Sequence, residues 1–164
     1  MDIKLLLMDC DGVLTDGRLY FSSRGEEMKV FDVRDGQGIA LWHAAGFKSG
    51  IISGRDAGEI IQRRADELGI EFVRVGVHDK VAEFEKITTA LDIDASRVAY
   101  IGDDVGDLPL LARVGYSVAV ADAVDAVRNA ASFVTAAKGG RGAVREVIDM
   151  LLSDRHNSVA RSKD

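Results

Sequence analysis

The apolar run Ile3–Met8, broken only by Lys4, ends abruptly in Asp9-Cys10-Asp11-Gly12. Such a run reads as a strand buried on both faces, which is a property of parallel sheets. Similar short runs recur at Phe47–Ile52, Glu71–Val75, Val98–Ile101, Tyr116–Val120 and Ser132–Thr135. Between them lie segments with helical spacing: Gly38–Ala45, Ala57–Leu68, Lys80–Leu91, Leu108–Arg113, Ala123–Ala131 and Ala143–Leu152. This alternation predicts an α/β fold, a Rossmann-like three-layer domain with a central, mostly parallel sheet and right-handed crossovers.

One stretch breaks the alternation. Arg18–Ser22 and Met28–Val33 read as two strands joined by Ser23-Arg24-Gly25-Glu26, a β-hairpin over residues 18–33. A lone hairpin is marginal in water, so this one needs something to pack on, such as another subunit. Residues 1–152 are expected to form a single domain. Residues 153–164 carry no apolar periodicity and are expected to be a disordered tail.

The chain has 164 residues, 47% hydrophobic and 29% charged, enough to bury a core. Its net charge of −6 argues against nucleic acid or a membrane surface as the main partner. No segment has the ~20 apolar residues of a membrane span. Cys10 is the only cysteine, so no internal disulfide forms, and a cytoplasmic location is expected.

Ligands of open α/β sheets bind beyond the carboxyl ends of the strands. Asp9 and Asp11 fall at such an end. Two carboxylates so close repel unless a cation intervenes, and Mg²⁺ favours hard oxygen ligands. The ordinary reading is an acidic turn. An EF-hand calcium loop does not fit, because Leu14 stands where it needs Gly and Tyr20 where it needs Glu. Further along, Ser53 and Gly54 follow a strand, where a hydroxyl and an open backbone suit a phosphoryl oxygen. Arg55 is either a surface charge or a fork for a substrate carboxylate. Lys80 opens a helix that Asp79 is placed to cap, and its ammonium suits a phosphoryl group beside a carboxylate. By itself it also reads as a surface lysine. Finally, Gly102-Asp103-Asp104-Val105-Gly106-Asp107 puts a second acidic cluster after a second apolar strand.

The ordered set Asp-x-Asp-Gly, Ser, Lys, Gly-Asp-Asp resembles the haloacid dehalogenase superfamily of phosphatases. The resemblance implies that Asp9 is the nucleophile and that Asp11 is the acid, then the base. It implies that Ser53 and Lys80 hold phosphoryl oxygens, and that Asp9, Asp103 and the backbone carbonyl of Asp11 hold Mg²⁺. Asp104 or Asp107 supports the metal; the sequence leaves the choice open. An Asp at position 11 favours phosphatase or mutase chemistry.

The intervals Asp11–Ser53 and Ser53–Lys80 leave no room for a cap domain. The phrase Asp9–Gly17, the hairpin and Val33-Arg34-Asp35-Gly36-Gln37-Gly38 look like the 3-deoxy-D-manno-octulosonate 8-phosphate phosphatase family, over about Ile3–Leu152. That resemblance implies a sugar-acid phosphate substrate and a homotetramer joined through its hairpins. It also implies that Lys138–Gly142 reaches toward an active site. Gly54, Arg55, Arg63 and Arg141 join Ser53 and Lys80 as candidate substrate contacts. The alternative substrate is a nine-carbon sugar-acid 9-phosphate; Arg55 and Asp66 favour the eight-carbon branch. Cys10 departs from the β-branched apolar residue common at its position. A phospho-receiver has its Lys after the last strand, so the order is wrong here. An inactive oligomerisation module is expected to have lost one of the acids that this chain keeps.

Overall fold

The computed structural model describes residues 2–56 and 58–161. Its strands are β1 (Leu5–Met8), β2 (Tyr20–Ser22), β3 (Gly25–Met28), β4 (Lys48–Ile52), β5 (Phe72–Arg74), β6 (Val98–Gly102), β7 (Tyr116–Ala119) and β8 (Phe133–Val134). Its helices are α1 (Val33–Ala44), α2 (Gly58–Leu68), α3 (Lys80–Leu91), α4 (Leu108–Leu111), α5 (Asp125–Ala130) and α6 (Ala143–Arg161).

The main sheet has the order β5-β4-β1-β6-β7-β8, with every pairing parallel. The central strand β1 is fully buried, because an inner parallel strand has elements on both faces. Its register decides where chemistry can sit. Met8 lies opposite Ile51 on β4 and Ile101 on β6. The residues that follow, Asp9, Ser53 and Asp103, therefore leave the sheet at one edge. Asp9 N–H donates to the Ile101 carbonyl (3.0 Å), which extends the ladder one step into the acidic loop.

Three expectations are corrected. The hairpin is shorter and shifted: its second arm is Gly25–Met28, antiparallel to β2, and Val30–Phe31 are not strand. The helix after it begins at Val33 rather than Gly38, so Arg34-Asp35-Gly36 is its first turn. Asp32 caps it, accepting from Arg34 N–H at 2.8 Å. Gly36 and Gly38 look like helix breakers, but α1 packs closely on α6, and a Cβ at Gly38 would lie 3.1 Å from Arg145 Cα. The tail is also partly helical: α6 continues through residues 153–161, which contain no Gly or Pro to stop it. Residues 162–164 lie outside the described residues.

Candidate active site

The loop after β1 is wound on itself. The N–H groups of Val13, Leu14 and Thr15 all donate to the Cys10 carbonyl (3.3, 2.9 and 3.1 Å). Val13 and Leu14 are buried and anchor the loop in the core. Asp9 and Asp11 are left facing a cleft of about 340 Å³, lined also by Gly17, Ser53, Gly54, Arg55, Lys80, Asp103, Asp104, Gly106 and Asp107. Gly12 is needed here. Its φ is 83°, and a Cβ at that position would lie 2.0 Å from an Asp103 carboxylate oxygen.

Asp9 is held at both oxygens: Oδ1 accepts from Cys10 N–H (2.7 Å), and Lys80 Nζ lies 2.8 Å from Oδ2. The reading of Lys80 as a surface lysine is excluded. Its ammonium also reaches Asp107 Oδ1 (2.7 Å) and Tyr100 Oη (3.2 Å), with the side chain only 9% exposed. Burial pushes its pKa down, but Asp9 and Asp107 outweigh that and hold it above the usual lysine value. Asp79 caps α3 as expected, accepting from Ala82 N–H at 3.0 Å.

The structure separates Asp104 from Asp107. Asp104 is exposed and accepts from Val105 N–H (2.7 Å). Asp107 is buried, and its two oxygens accept from Lys80, Tyr100 Oη (2.5 Å), Asp103 N–H (2.9 Å) and Asp104 N–H (3.2 Å). Carboxylate oxygens of Asp9, Asp103 and Asp107 lie within 4.8 Å of one another, close enough to share a cation. Asp107 already has four donors, which fills its acceptor capacity. Asp9 and Asp103 thus keep more free acceptor capacity than Asp107, which holds Lys80 and the turn that carries Asp103. Asp11 is not part of that triad; its carboxylate turns toward Lys29 and Arg55.

This acidic centre is arranged for a cation. Burial pushes Asp9 up to about 6, with Lys80 opposing and Asp107 adding to the rise. Asp103 is pushed up to about 8, first by burial and then by Asp9 and Asp107. Both carboxyls bind protons more tightly in the folded state than in the unfolded chain. Their contribution to stability is present at low pH and lost as pH rises through about 6 and about 8. Thermal melts in chelator should thus lose midpoint over that window, and Mg²⁺ should flatten the slope. A metal-free midpoint that climbed over the same window would contradict this electrostatic picture.

Two arginines are not brought to the cleft. Arg63 sits on α2 beside a separate groove with Gln62, Asp66 and Val73. Arg141 points to Asp16 (3.6 Å), while its carbonyl accepts from Arg34 (2.9 Å). The glycine-rich segment does reach the acidic loop, but by packing. A Cβ at Gly139 would lie 1.7 Å from the Gly12 carbonyl oxygen, and Gly140 N–H donates to Val13 O (2.8 Å).

Residues 64–148 match the haloacid dehalogenase-like hydrolases. The chain is 46% identical over 151 residues to the 3-deoxy-D-manno-octulosonate 8-phosphate phosphatase of Yersinia pestis, covering 92% of this chain and 80% of that one. The chain belongs to the 3-deoxy-D-manno-octulosonate 8-phosphate phosphatase family of haloacid dehalogenase-like hydrolases. Solved structures of the family agree with this fold. The Moraxella catarrhalis phosphatase, in complex with magnesium, phosphate and KDO, has a TM-score of 0.90 at 36% identity, covering 99% of this chain and 94% of that one. The cobalt-bound Haemophilus influenzae phosphatase has a TM-score of 0.90 at 43% identity, covering 93% and 88%. Among the described residues, the hairpin and α1 are what separate the acidic loop from β4, with no inserted domain between them.

Sequence reasoning missed three residues that contact the cleft's side chains. Tyr100 was legible in principle, since a phenol in a strand buried on both faces must find a partner. Lys29 and Glu26 gave no signal, because charged residues beside a hairpin are usually solvated. Lys29 is instead buried between Asp11 (2.6 Å) and Glu26 (2.8 Å).

Proposed function

We propose that this chain is a Mg²⁺-dependent phosphomonoesterase that hydrolyses 3-deoxy-D-manno-octulosonate 8-phosphate through an aspartyl-phosphate on Asp9. The observation that carries the reading is the Asp9–Lys80 contact at 2.8 Å, set within the ring of Asp9, Asp103 and Asp107. A nucleophile, a buried cation and paired metal-binding carboxylates thereby share one cleft.

Asp9 attacks phosphorus, and the bond from phosphorus to the ester oxygen breaks. That oxygen keeps the electron pair and takes a proton from Asp11. Water then gives a proton to Asp11 and attacks the aspartyl-phosphate. The bond from phosphorus to Asp9 breaks, which frees inorganic phosphate. Lys80 and the Ser53 hydroxyl hold the phosphoryl oxygens. Asp9, Asp103 and the Asp11 carbonyl would hold Mg²⁺, which supplies positive charge to the transferring phosphoryl group. Arg55, which lines the cleft and is 43% exposed, is the candidate contact for a substrate carboxylate.

The same family reading extends to assembly. Leu19, Phe21, Met28 and Val30 are exposed on or beside the hairpin, with Phe21 63% exposed. A two-stranded ribbon with an apolar surface calls for a partner, and a homotetramer joined through its hairpins supplies one. A reducing cytoplasm suits the lone Cys10, whose thiol burial pushes well above the ordinary range.

The deciding assay is a side-by-side panel of eight-carbon and nine-carbon sugar-acid phosphates, with hexose phosphates as controls. The eight-carbon ester should have the highest kcat/KM, by ~10-fold or more, the scale on which a site separates substrates of similar chemistry. Chelation should abolish its turnover and Mg²⁺ restore it. Preference for the nine-carbon ester would reassign the substrate, and turnover that survived full chelation would remove the metal.

A further inference from the structure

Lys29 enters the site from the end of the hairpin, yet its side chain is fully buried. It donates to Asp11 Oδ1 at 2.6 Å and to Glu26 Oε1 at 2.8 Å. The other oxygen of Glu26 accepts from Arg55 at 3.2 Å, so Glu26 ties the two cations together. Burying an ammonium is costly, and a lysine needed only to anchor a hairpin could pair at the surface. This one instead fastens one oxygen of the proposed proton donor. The remaining oxygen, Asp11 Oδ2, is buried and makes no hydrogen bond; Arg55 Nε is 3.5 Å away.

We propose that Lys29 is a positioning residue for proton transfer: it pins Asp11 Oδ1 and so leaves Oδ2, the oxygen without a hydrogen bond, to carry the transferred proton. The inference rests on Asp11 as the acid of the first step. In that step Oδ2 gives its proton to the ester oxygen as the bond from phosphorus to that oxygen breaks. A carboxyl free to rotate spends only part of its time in line for the transfer, and orientation is a large share of what such a group contributes. Glu26 has the companion role of fixing Lys29. The hairpin thereby takes part in chemistry from outside the sheet.

The test compares two esters that differ in their need for a proton. A sugar phosphate releases a basic alkoxide; p-nitrophenyl phosphate releases a stable phenolate. The readout is the ratio of their kcat/KM values, which reports steps up to phosphoryl transfer. Lys29→Met should lower the sugar-to-nitrophenyl ratio by ~30-fold or more, a part of the 10²–10⁴ that general acid catalysis supplies. Equal losses on both esters, leaving the ratio unchanged, would mean that Lys29 only holds the fold, and would overturn the proposal. Should Lys29→Met fold poorly, with Glu26 and Asp11 left facing each other, the pair Lys29→Met with Glu26→Gln removes that repulsion and should give the same drop in ratio. Asp11→Asn distinguishes the two levels. If its ratio falls and that of the Lys29 variant does not, the positioning role is wrong. If neither falls, proton donation by Asp11 is wrong, and the role of Lys29 fails with it.

Discussion

Asp9→Asn is expected to abolish turnover, by ~10⁴-fold or more, as removal of a covalent nucleophile does elsewhere, while leaving the protein folded. The amide matches the carboxylate in shape and can still accept from Cys10 N–H, now 2.7 Å from Oδ1. It cannot attack phosphorus. The change also removes a buried charge. Burial, with Asp107 adding and Lys80 opposing, holds the Asp9 carboxyl up at about 6, so the metal-free protein pays to ionise it at neutral pH. The metal-free variant should therefore melt no lower than the parent at pH 8, even though Lys80 loses one of its carboxylate partners. Stability and activity would then move apart, as expected where a site is built against stability. Rapid-quench capture of phosphate on the protein checks the same point: the parent should label and the variant should not. More than about 1% residual turnover would contradict the proposed role, being far above what a lost nucleophile leaves.

How much of this could be read from the sequence depends on how local each signal is. The strands β1 and β6 were visible because a strand buried on both faces is apolar along its length, while β4 and β7 showed only short apolar stretches. Helix α3 was found with its true bounds, since Asp79 caps its start and the left-handed Asp92 (φ 51°) ends it. The acidic ends of β1 and β6 were legible for the same reason: charge following an apolar strand has few uses other than at a site. Where a glycine served packing rather than a turn, the reading failed. The spacing starts the helix at Gly38, whereas Gly36 and Gly38 both lie inside α1, where α2 and α6 approach it closely.

The supporting residues were hidden for a different reason. Asp35 is buried and accepts from Gly142 N–H (3.2 Å) and Arg145 N–H (2.9 Å), partners more than a hundred positions away. Burial raises its pKa, although those two donors oppose the rise. Nothing nearby in the chain announces that role. Asp107 resembled Asp104 in sequence, and only the turn that buries it against Tyr100 and Lys80 sets them apart. Arg63 and Arg141 show the converse. The family resemblance made them candidates, but α2 and Asp16 direct them elsewhere.

Lys80→Met should produce the second large loss, in activity and stability together. The ammonium lies between Asp9 and Asp107 at 2.8 and 2.7 Å and is the cation those buried carboxylates share. Methionine keeps much of the stem's volume but leaves the acids facing one another without a counter-charge. Breaking a buried pair this way costs about 3–5 kcal/mol, which in a chain of this size lowers the melting point by roughly 10 °C. Catalysis should suffer separately, since an anionic carboxylate must then approach an anionic phosphoryl group with one donor gone. A kcat/KM loss of ~10³-fold is expected from removing one such preorganised donor. Mg²⁺ distinguishes the two effects. By adding positive charge at Asp9 and Asp103 it should recover part of the melting point, while the lost contact to the phosphoryl oxygen stays lost. Arginine should not rescue the variant, because its planar fork is wider than the gap that the lysine fills. A Lys80→Met protein that kept a tenth of the parent's kcat/KM would show that the Asp9–Lys80 contact is an ion pair of the fold and no part of the reaction.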